Sequence, residues 1–179
     1  MNIYTMGHST YTIEEFVLLM KQYKIQLVVD VRSYPGSRYV PQFNKENMRV
    51  WLGDNGLEYI HLPELGGRRK GDPASDEALV AGWDKASFRN YAAYSLTEEY
   101  EKGIEKLIRL SMEQIICVVC AEALPWRCHR LIISNSLVYR GQRVFHIIGK
   151  SELIEHSLSL YGAEAVIDKG RLIYPRMDI

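Results

Sequence analysis

Five short runs of apolar, mostly β-branched residues recur along the chain, and each ends in a polar segment or a glycine. They read NIYTM, IQLVVDV, LEYIHL, IICVV and RVFHII in chain order. Near-continuous apolar runs of this length are typical of strands buried on both faces, as in a parallel sheet covered by helices. The pattern therefore predicts about five strands in a mostly parallel sheet.

Helical patterns separate these runs. Thr12 and Glu15 form a capping box, in which each side chain reaches the other's backbone N–H, and an apolar stripe follows them. Further helices are predicted after Asn44, after Thr97, over residues 128–141 and over residues 151–162 with Ser151 as the cap. Residues 72–90 carry weak periodicity and are predicted as irregular or short helix. The final run, AVIDKGRLIY, predicts a hairpin that turns at residues 168–170.

Strands and helices alternate through most of the chain without a repeat, a low-complexity tract or a linker. A length of 179 residues suits one core. We therefore expect residues 1–179 to form a single α/β domain of three layers, with helices flanking the sheet on both sides.

Charge and cysteine content limit the possible partners and the cellular compartment of the protein. Lys plus Arg and Asp plus Glu each number 22, so no global field attracts the chain to nucleic acid or a membrane, and any anion site must be local. The amino end has no signal-peptide pattern, and no stretch approaches the ~18 apolar residues of a membrane span. Three cysteines cannot all pair. We expect a cytoplasmic protein without a membrane partner; the oligomeric state stays open.

Polar side chains follow four of the predicted strands. In parallel sheets the carboxyl ends of the strands lie at one edge, which is where ligands bind in open α/β folds. The candidate site residues at that edge are His8, Ser9, Asp30, Arg32, Arg38, Glu64, Arg68, Arg69, Cys120, Glu122, Arg127, His129 and Arg130.

Acid–base chemistry is predicted for the first two strand ends. His8 follows a glycine at an exposed strand end, which suits proton transfer near neutral pH. Asp30 would act as a general base or orient His8, while Arg32 would hold an anion in its planar fork. Asp30 and Arg32 lie on the same side of a strand, so a mutual ion pair is the alternative. Glu64 has a similar alternative, a pair with an arginine that fixes its loop.

The segment CAEALPWRCHR carries the candidate thiol chemistry. Cys120 would be nucleophilic as a thiolate, which nearby arginines, His129 and a helix N-terminus favour and which Glu122 opposes. The alternative is a small buried residue at a strand end. Cys128 is expected to pack at the helix start and Cys117 in the core. The C-x7-C-H spacing matches no structural zinc pattern, so neither a metal nor a cofactor is expected.

Basic and aromatic residues share the same predicted edge. The cations are Arg38, Arg68, Arg69, Lys70, Arg127 and Arg130, and the aromatic residues are Tyr34, Tyr39, Phe43 and Trp126. This combination is used to bind nucleotides and single strands, and it predicts a phosphate-bearing small molecule or nucleic acid as the ligand. The alternative is a solvated rim with aromatic packing.

Several of these strings together resemble a known family. The strings are GHS at 7–9, VDVRSYPGSR at 29–38, PQFN at 41–44, LEYIHLPELGGRR at 57–69 and CAEALPWRCHR at 120–130. In this order and spacing they resemble the domain of unknown function 488, from residue 3 to about residue 148. The resemblance implies an α/β fold and a shared polar site, without a reaction.

A second similarity is to rhodanese-like domains, which also place a D-x-R at the end of an early strand and a cysteine at the end of a later one. Asp30, Arg32 and Cys120 resemble those positions. The loop after Cys120 departs from the rhodanese pattern because it lacks glycine and contains Pro125, which has no N–H to donate to an anion.

Three functions follow as hypotheses. The first is an enzyme that acts on a phosphate-bearing ligand, with His8, Asp30 and Glu122 as acid–base groups. The second is thiol-based, rhodanese-like group transfer through Cys120. The third is a non-catalytic module that binds a nucleotide or nucleic acid.

Overall fold

The computed structural model describes residues 1–177 and has a six-stranded sheet at its centre. The strands are β1 (Asn2–Gly7), β2 (Leu27–Asp30), β3 (Glu58–His61), β4 (Ile116–Cys120), β5 (Arg143–Ile148) and β6 (Glu152–Glu155). Their order across the sheet is β3-β2-β4-β1-β5-β6. The first five run parallel, and β6 pairs antiparallel with β5. The predicted α/β class with a mostly parallel sheet is confirmed.

Five helices flank this sheet. They are α1 (Ile13–Gln22), α2 (Lys45–Asp54), α3 (Ala86–Tyr94), α4 (Glu98–Glu113) and α5 (Arg130–Tyr139). The predicted capping box is present: Thr12 Oγ1 accepts from the Glu15 N–H at 3.1 Å, and Glu15 accepts from the Thr12 N–H at 3.1 Å. Asn44 precedes α2 as predicted, but its side chain accepts from the Ser37 N–H and holds the preceding loop instead of the helix end.

Both faces of the central strands are covered. In β2 the neighbours Val28 and Val29 are fully buried in different apolar clusters, because successive side chains of a strand point to opposite faces. Phe16 and Leu52 of α1 and α2 pack with Val28, while Leu131 of α5 belongs to the cluster of Val29. This burial explains the near-continuous apolar runs in the sequence.

The predicted helix over residues 151–162 is wrong. Residues Glu152–Glu155 form β6, whose Ile154 lies opposite His146 of β5, and turns follow. The apolar residues of this segment fit a helical period, yet the unpaired edge of β5 offers backbone hydrogen bonds that a short strand satisfies. His156 continues this pairing, since its N–H donates to Val144 O at 2.8 Å.

The predicted carboxyl-terminal hairpin is confirmed. Strands β7 (Val166–Asp168) and β8 (Arg171–Ile173) pair antiparallel around residues 169–170. Tyr174 follows β8 and is buried. Within residues 1–177, no helix has the length and apolar character needed to cross a bilayer. The assignment of the whole chain to one domain stays a prediction.

Candidate active site

The carboxyl ends of three neighbouring strands meet at one edge of the sheet. Gly7 of β1 lies beside Cys120 of β4, and Asp30 of β2 lies beside Val119. The next residues keep the strands together, since the His8 N–H donates to Cys120 O at 2.8 Å. Gly7 is required here because a Cβ would overlap the Glu122 carbonyl.

A cavity of about 320 Å³ opens at this edge. Its walls come from the segments after β2, β3 and β4 and from α3. The lining residues are Arg32, Ser33, Tyr34, Gly67, Arg68, Ser87, Phe88, Tyr91, Cys120, Ala121, Glu122, Arg127, Cys128 and His129. The structure therefore brings together six of the candidate residues: Arg32, Arg68, Cys120, Glu122, Arg127 and His129.

Two thiols and an imidazole form a cluster in the cavity wall. Cys120 ends β4, and Cys128 and His129 follow the short 3-10 turn Pro125–Arg127. His129 Nδ1 lies 3.5 Å from Cys128 Sγ and 4.0 Å from Cys120 Sγ. The other ring nitrogen, Nε2, lies 3.0 Å from Val31 O and must carry a hydrogen to donate there. Nδ1 is therefore the nitrogen that can exchange a proton with either thiol.

Arg130 is the charged partner of this cluster. Its side chain is 1% exposed, and Nε donates to Cys128 Sγ at 3.4 Å. The remaining guanidinium nitrogens donate to Thr5 Oγ1 at 3.3 Å and to Glu122 O. None of the ion pairs found among residues 1–177 includes Arg130. A buried cation without a carboxylate needs another source of negative charge, and the adjacent sulfur is positioned to supply it.

The environment shifts the pKa values of the two thiols in opposite directions. Burial acts to raise the pKa of Cys128, but the adjacent Cys120 thiol and the charges of His129 and Arg130 outweigh it and hold that pKa well below its ordinary value. The interaction with Cys128, together with burial, raises the pKa of Cys120 well above its ordinary value. The pair therefore favours a thiolate on Cys128 and a proton on Cys120.

Arg32 and Asp30 form the ion pair that was the alternative interpretation of the sequence. Arg32 Nε and Nη2 donate to the Asp30 carboxylate at 2.9 and 2.6 Å, and Nη2 also donates to Phe43 O at 2.7 Å. The Tyr59 hydroxyl donates to the same carboxylate at 2.7 Å. With these contacts made, Arg32 contributes charge to the cavity wall while its fork is held by Asp30.

His8 is bound to this ion pair as a neutral imidazole. Arg32 Nη1 can only donate, so His8 Nε2 at 3.0 Å accepts, and Nδ1–H donates to Ser9 O at 3.0 Å. Burial and the charge of Arg32 lower the pKa of His8 to about 4. Its ring also stacks on Phe43. Ser9 contributes through its backbone, whose N–H donates to Ala121 O at 3.0 Å.

The remaining candidate arginines fall into two groups. Arg69 donates to the carbonyls of Gly66 and Pro63 and lies 3.6 Å from the centre of the Tyr94 ring, so it fixes its own loop. Arg38 is exposed and is not among the residues found to line the cavity. Arg68 and Arg127 are exposed and line it, so they are the arginines available to a ligand. Glu64, next to this loop, keeps a buried carboxylate oxygen without a partner.

A family comparison matches most of the chain. Residues 12–137 match the model described as "Domain of unknown function DUF488". The chain belongs to this family. The match includes all five helices except the end of α5, together with β2, β3 and β4. No curated protein and no solved structure matches the chain.

The thiol cluster of this DUF488 protein also has the donor set of a metal site. The Nδ1 of His129 and the two sulfurs lie within 4.8 Å of one another, and two thiolates with an imidazole would suit zinc. Arg130 places a fixed positive charge against the Cys128 sulfur, so a thiolate is already compensated there. The Cys128 sulfur therefore has a cationic partner within the protein itself.

Some residues of the DUF488 site were missed by the sequence patterns. Tyr91 and Phe88 line the cavity, but Phe88 lies in the segment 72–90, whose weak periodicity predicted no firm element, and Tyr91 directly follows that segment. The Tyr91 ring meets the His129 ring edge to face at 5.0 Å, and its hydroxyl donates to Leu65 O at 2.7 Å. Gly67 was noted only as part of a basic loop, yet a Cβ there would overlap His129. Long-range contacts of this kind leave no local signal.

Proposed function

We propose that this DUF488 protein is an enzyme that catalyses thiol-dependent group transfer on an anionic substrate. The observation that carries the proposal is the contact between Arg130 Nε and Cys128 Sγ at 3.4 Å, made by a buried guanidinium without an ion-pair partner among residues 1–177. A positive charge held against a sulfur lowers the thiol pKa and makes the thiolate, which is the nucleophilic form. Cys120 and His129 supply the exchangeable protons beside it.

The proposed reaction has two balanced steps. In the resting site His129 Nδ1 holds the proton of the Cys128 thiol, and the Cys128 thiolate attacks the electrophilic atom of the substrate. The bond to the leaving group breaks, the leaving group takes the bonding pair and the proton from His129, and the transferred group stays on sulfur. A second nucleophile then takes the group from Cys128 and returns a proton to His129 Nδ1, which restores the thiolate and the protonated imidazole.

The anionic part of the substrate is proposed to lie against Arg68 and Arg127. Both are exposed, and both line the cavity that holds the thiols. Arg68 also lies over the exposed Tyr34 ring, 5.7 Å from its centre. Guanidinium groups beside aromatic surfaces bind phosphate-bearing ligands, so a phosphate group is the anion we assign to this subsite.

The rhodanese-like similarity supports the same class of chemistry. Asp30 and Arg32 lie at the end of β2, and Cys120 ends the neighbouring strand β4. In this chain Asp30 and Arg32 pair with each other, and the turn Pro125–Arg127 brings a second thiol to the first. The proposal therefore uses both cysteines, with Cys120 as the proton-bearing partner of Cys128.

The test is the pH dependence of alkylation by iodoacetamide, followed by peptide mass spectrometry. Cys128 is expected to react fastest, at pH values well below the ordinary thiol range of about 8.5. Cys128→Ser should abolish the fast phase, and Cys120→Ala should raise its midpoint pH because the proton donor beside the thiolate is lost. Cys117→Ser is the matched control because Cys117 is buried in the core, away from the cavity.

The proposal is overturned if neither Cys120 nor Cys128 reacts faster than a free cysteine below pH 8.5. Inorganic phosphate binding that is unchanged in Cys128→Ser and Cys120→Ala, combined with such inert thiols, would identify a non-catalytic binding module instead. Protection of Cys128 from alkylation by phosphate, and its loss in Arg68→Ala, would place the anion subsite next to the thiol.

A further inference from the structure

A chain of buried hydrogen bonds runs from Arg130 to the carboxyl-terminal segment. Arg130 Nη1 lies 3.3 Å from Thr5 Oγ1, which lies 2.7 Å from His146 Nδ1. His146 Nε2 lies 3.0 Å from His156 Nδ1, and His156 Nε2 lies 2.9 Å from Asn135 Oδ1. All five side chains are at least 96% buried. Asn135 Nδ2 then donates to the buried Tyr174 hydroxyl at 3.1 Å.

The direction of every bond in this chain is fixed by its two ends. At one end the Ser159 N–H can only donate, so the Asn135 atom it contacts at 3.4 Å is the carbonyl oxygen. His156 must then donate through Nε2 and accept through Nδ1. His146 donates through Nε2 in turn and accepts through Nδ1, which leaves the hydroxyl hydrogen of Thr5 pointing at His146.

At the other end this polarity matches what Arg130 requires. A guanidinium has no acceptor atom, so Thr5 must present a lone pair to it. The Thr5 hydroxyl can do so because its hydrogen is committed to His146 Nδ1. All the hydrogen bonds therefore point in one direction only when His146 and His156 both carry their hydrogen on Nε2, and this tautomer supports the position of Arg130.

We propose that His156 and Asn135 are positioning residues for the active site, which act through His146 and Thr5 to hold Arg130 against the Cys128 sulfur. The inference rests on the proposed function, because it assumes that the Cys128 thiolate matters. His156 and Tyr174 lie outside residues 12–137, so the carboxyl-terminal segment supplies part of the support of a site whose cavity-lining residues all lie within the family match.

Breaking this series of hydrogen bonds should change the stability of the thiolate on Cys128. Without an acceptor at His156, His146 is free to adopt the other tautomer, with a hydrogen on Nδ1. Thr5 would then accept from His146 and turn its own hydrogen toward Arg130, which is repelled by it. The guanidinium shifts, its hydrogen bond to Cys128 weakens, and the thiolate loses stabilisation.

The test substitutes His156→Phe, which keeps an aromatic ring and removes both hydrogen bonds. The midpoint of the Cys128 alkylation profile against pH is expected to rise by about one unit, a tenfold change in the ionisation equilibrium. His156→Gln keeps an N–H donor and a carbonyl acceptor at the end of its side chain, so its midpoint should return most of the way to the wild-type value. A merely structural role would lower stability in both variants without moving the midpoint.

Tyr100→Phe is the matched control. It removes another buried hydrogen bond to α5, between the Tyr100 hydroxyl and Ser136 Oγ at 2.8 Å. This bond is not part of the series of hydrogen bonds from Arg130 to Tyr174. Its midpoint should equal that of the wild type. If His156→Phe does not fold, Tyr174→Phe is measured instead, with a smaller rise expected because it removes only the last hydrogen bond.

The inference is overturned if the wild-type protein has a low-pKa Cys128 and neither His156→Phe nor Tyr174→Phe moves its midpoint. If the wild-type Cys128 itself titrates in the ordinary thiol range, the proposed function fails first, so the two failures are distinguishable.

Discussion

Arg32 and Arg130 are two buried arginines at the same edge of the sheet, and their partners differ. The Arg32 guanidinium is held by the carboxylate of Asp30, which also accepts from Tyr59. The Arg130 guanidinium is held by Thr5 and a backbone carbonyl and turns Nε toward the Cys128 sulfur. Each arginine is also linked to neutral imidazoles, Arg32 directly to His8 and Arg130 through Thr5 to His146.

The comparison shows that the partner of a buried charge decides what the charge can do. The Asp30 carboxylate and the Arg32 guanidinium form a buried ion pair, so the pair at Arg32 fixes structure. A thiol is mostly protonated when unfolded, and a guanidinium beside it changes which form is present. One arginine therefore holds the loop after β2, and the other shifts a protonation equilibrium.

The largest expected effect comes from removing the carboxylate partner. Asp30→Asn leaves Arg32 buried without a counter-charge, and the free energy of unfolding should fall by about 3–5 kcal/mol. Urea unfolding measures this change. The matched control is Glu155→Gln, which breaks the exposed pair with Arg143 and should change stability little. A loss at Asp30→Asn as small as that of the control would mean that the pair does not hold the loop.

The second effect concerns the thiol partner. Arg130→Met removes the guanidinium, and the Cys128 pKa should return toward the ordinary range of about 8.5, with alkylation at pH 7 slowed by tenfold or more. Arg49→Met changes an exposed arginine of α2 and should leave the rate unaltered. Equal alkylation rates in the two variants would contradict the difference drawn between Arg130 and Arg32.

The third effect is the dependence of stability on pH, to which the histidines linked to each of the two arginines contribute. Burial first, with the charge of Arg32, lowers the pKa of His8 to about 4, and burial likewise lowers the pKa of His146 to about 3 and of His156 to about 4. Unfolded histidines take up protons near pH 6.5, whereas these stay neutral when folded. Their contribution to stability is therefore present above about pH 6.5 and is lost as the pH falls toward 4.

Replacing one histidine should remove its share of that slope. His8→Phe is expected to flatten the dependence of unfolding free energy on pH by the contribution of the histidine that contacts Arg32. His156→Phe should flatten it by the contribution of a histidine that is linked to Arg130 through His146 and Thr5. Urea unfolding at a series of pH values between 4 and 7 measures both. Slopes equal to the wild type in both variants would show that folding does not lower the pKa values of these imidazoles.

The smallest effect on stability is expected at the exposed arginines. Arg68→Ala and Arg127→Ala should each change the unfolding free energy by less than about 0.5 kcal/mol, because both side chains are exposed and neither has a buried partner among residues 1–177. Each should weaken the binding of inorganic phosphate, measured by calorimetry. Arg38→Ala, an exposed arginine not found to line the cavity, is the control. Equal binding in all three variants would remove the anion subsite.

Much of the fold could be predicted because its signals are local. The capping box at Thr12 and Glu15, the cap at Thr97 and the apolar runs of the parallel strands each lie within a few residues. The segment after Ser151 was misassigned because the choice between helix and strand there depends on the free edge of β5, which is remote in the sequence. The periodicity of a segment cannot show whether a sheet edge elsewhere in the fold is free to pair with it.

The site was less predictable than the edge that carries it. Strand topology placed Arg32, Arg68 and Cys120 at one cavity, but the roles within it depend on which partner each side chain reaches. Cys128 was expected to pack at the helix start, and only the fold reveals that Arg130 and His129 turn toward its sulfur. Spacing cannot distinguish an arginine that pairs with a carboxylate from one that contacts a thiol.

Gly67 has a consequence for how this chain tolerates variation. Its backbone occupies the space beside the His129 ring, and any side chain at this position would push the ring aside. The position bears no functional group, so an inspection of reactive side chains would pass over it. In a screen that scores every substitution for both abundance and turnover, residue 67 should separate from the core positions, with abundance retained and turnover lost.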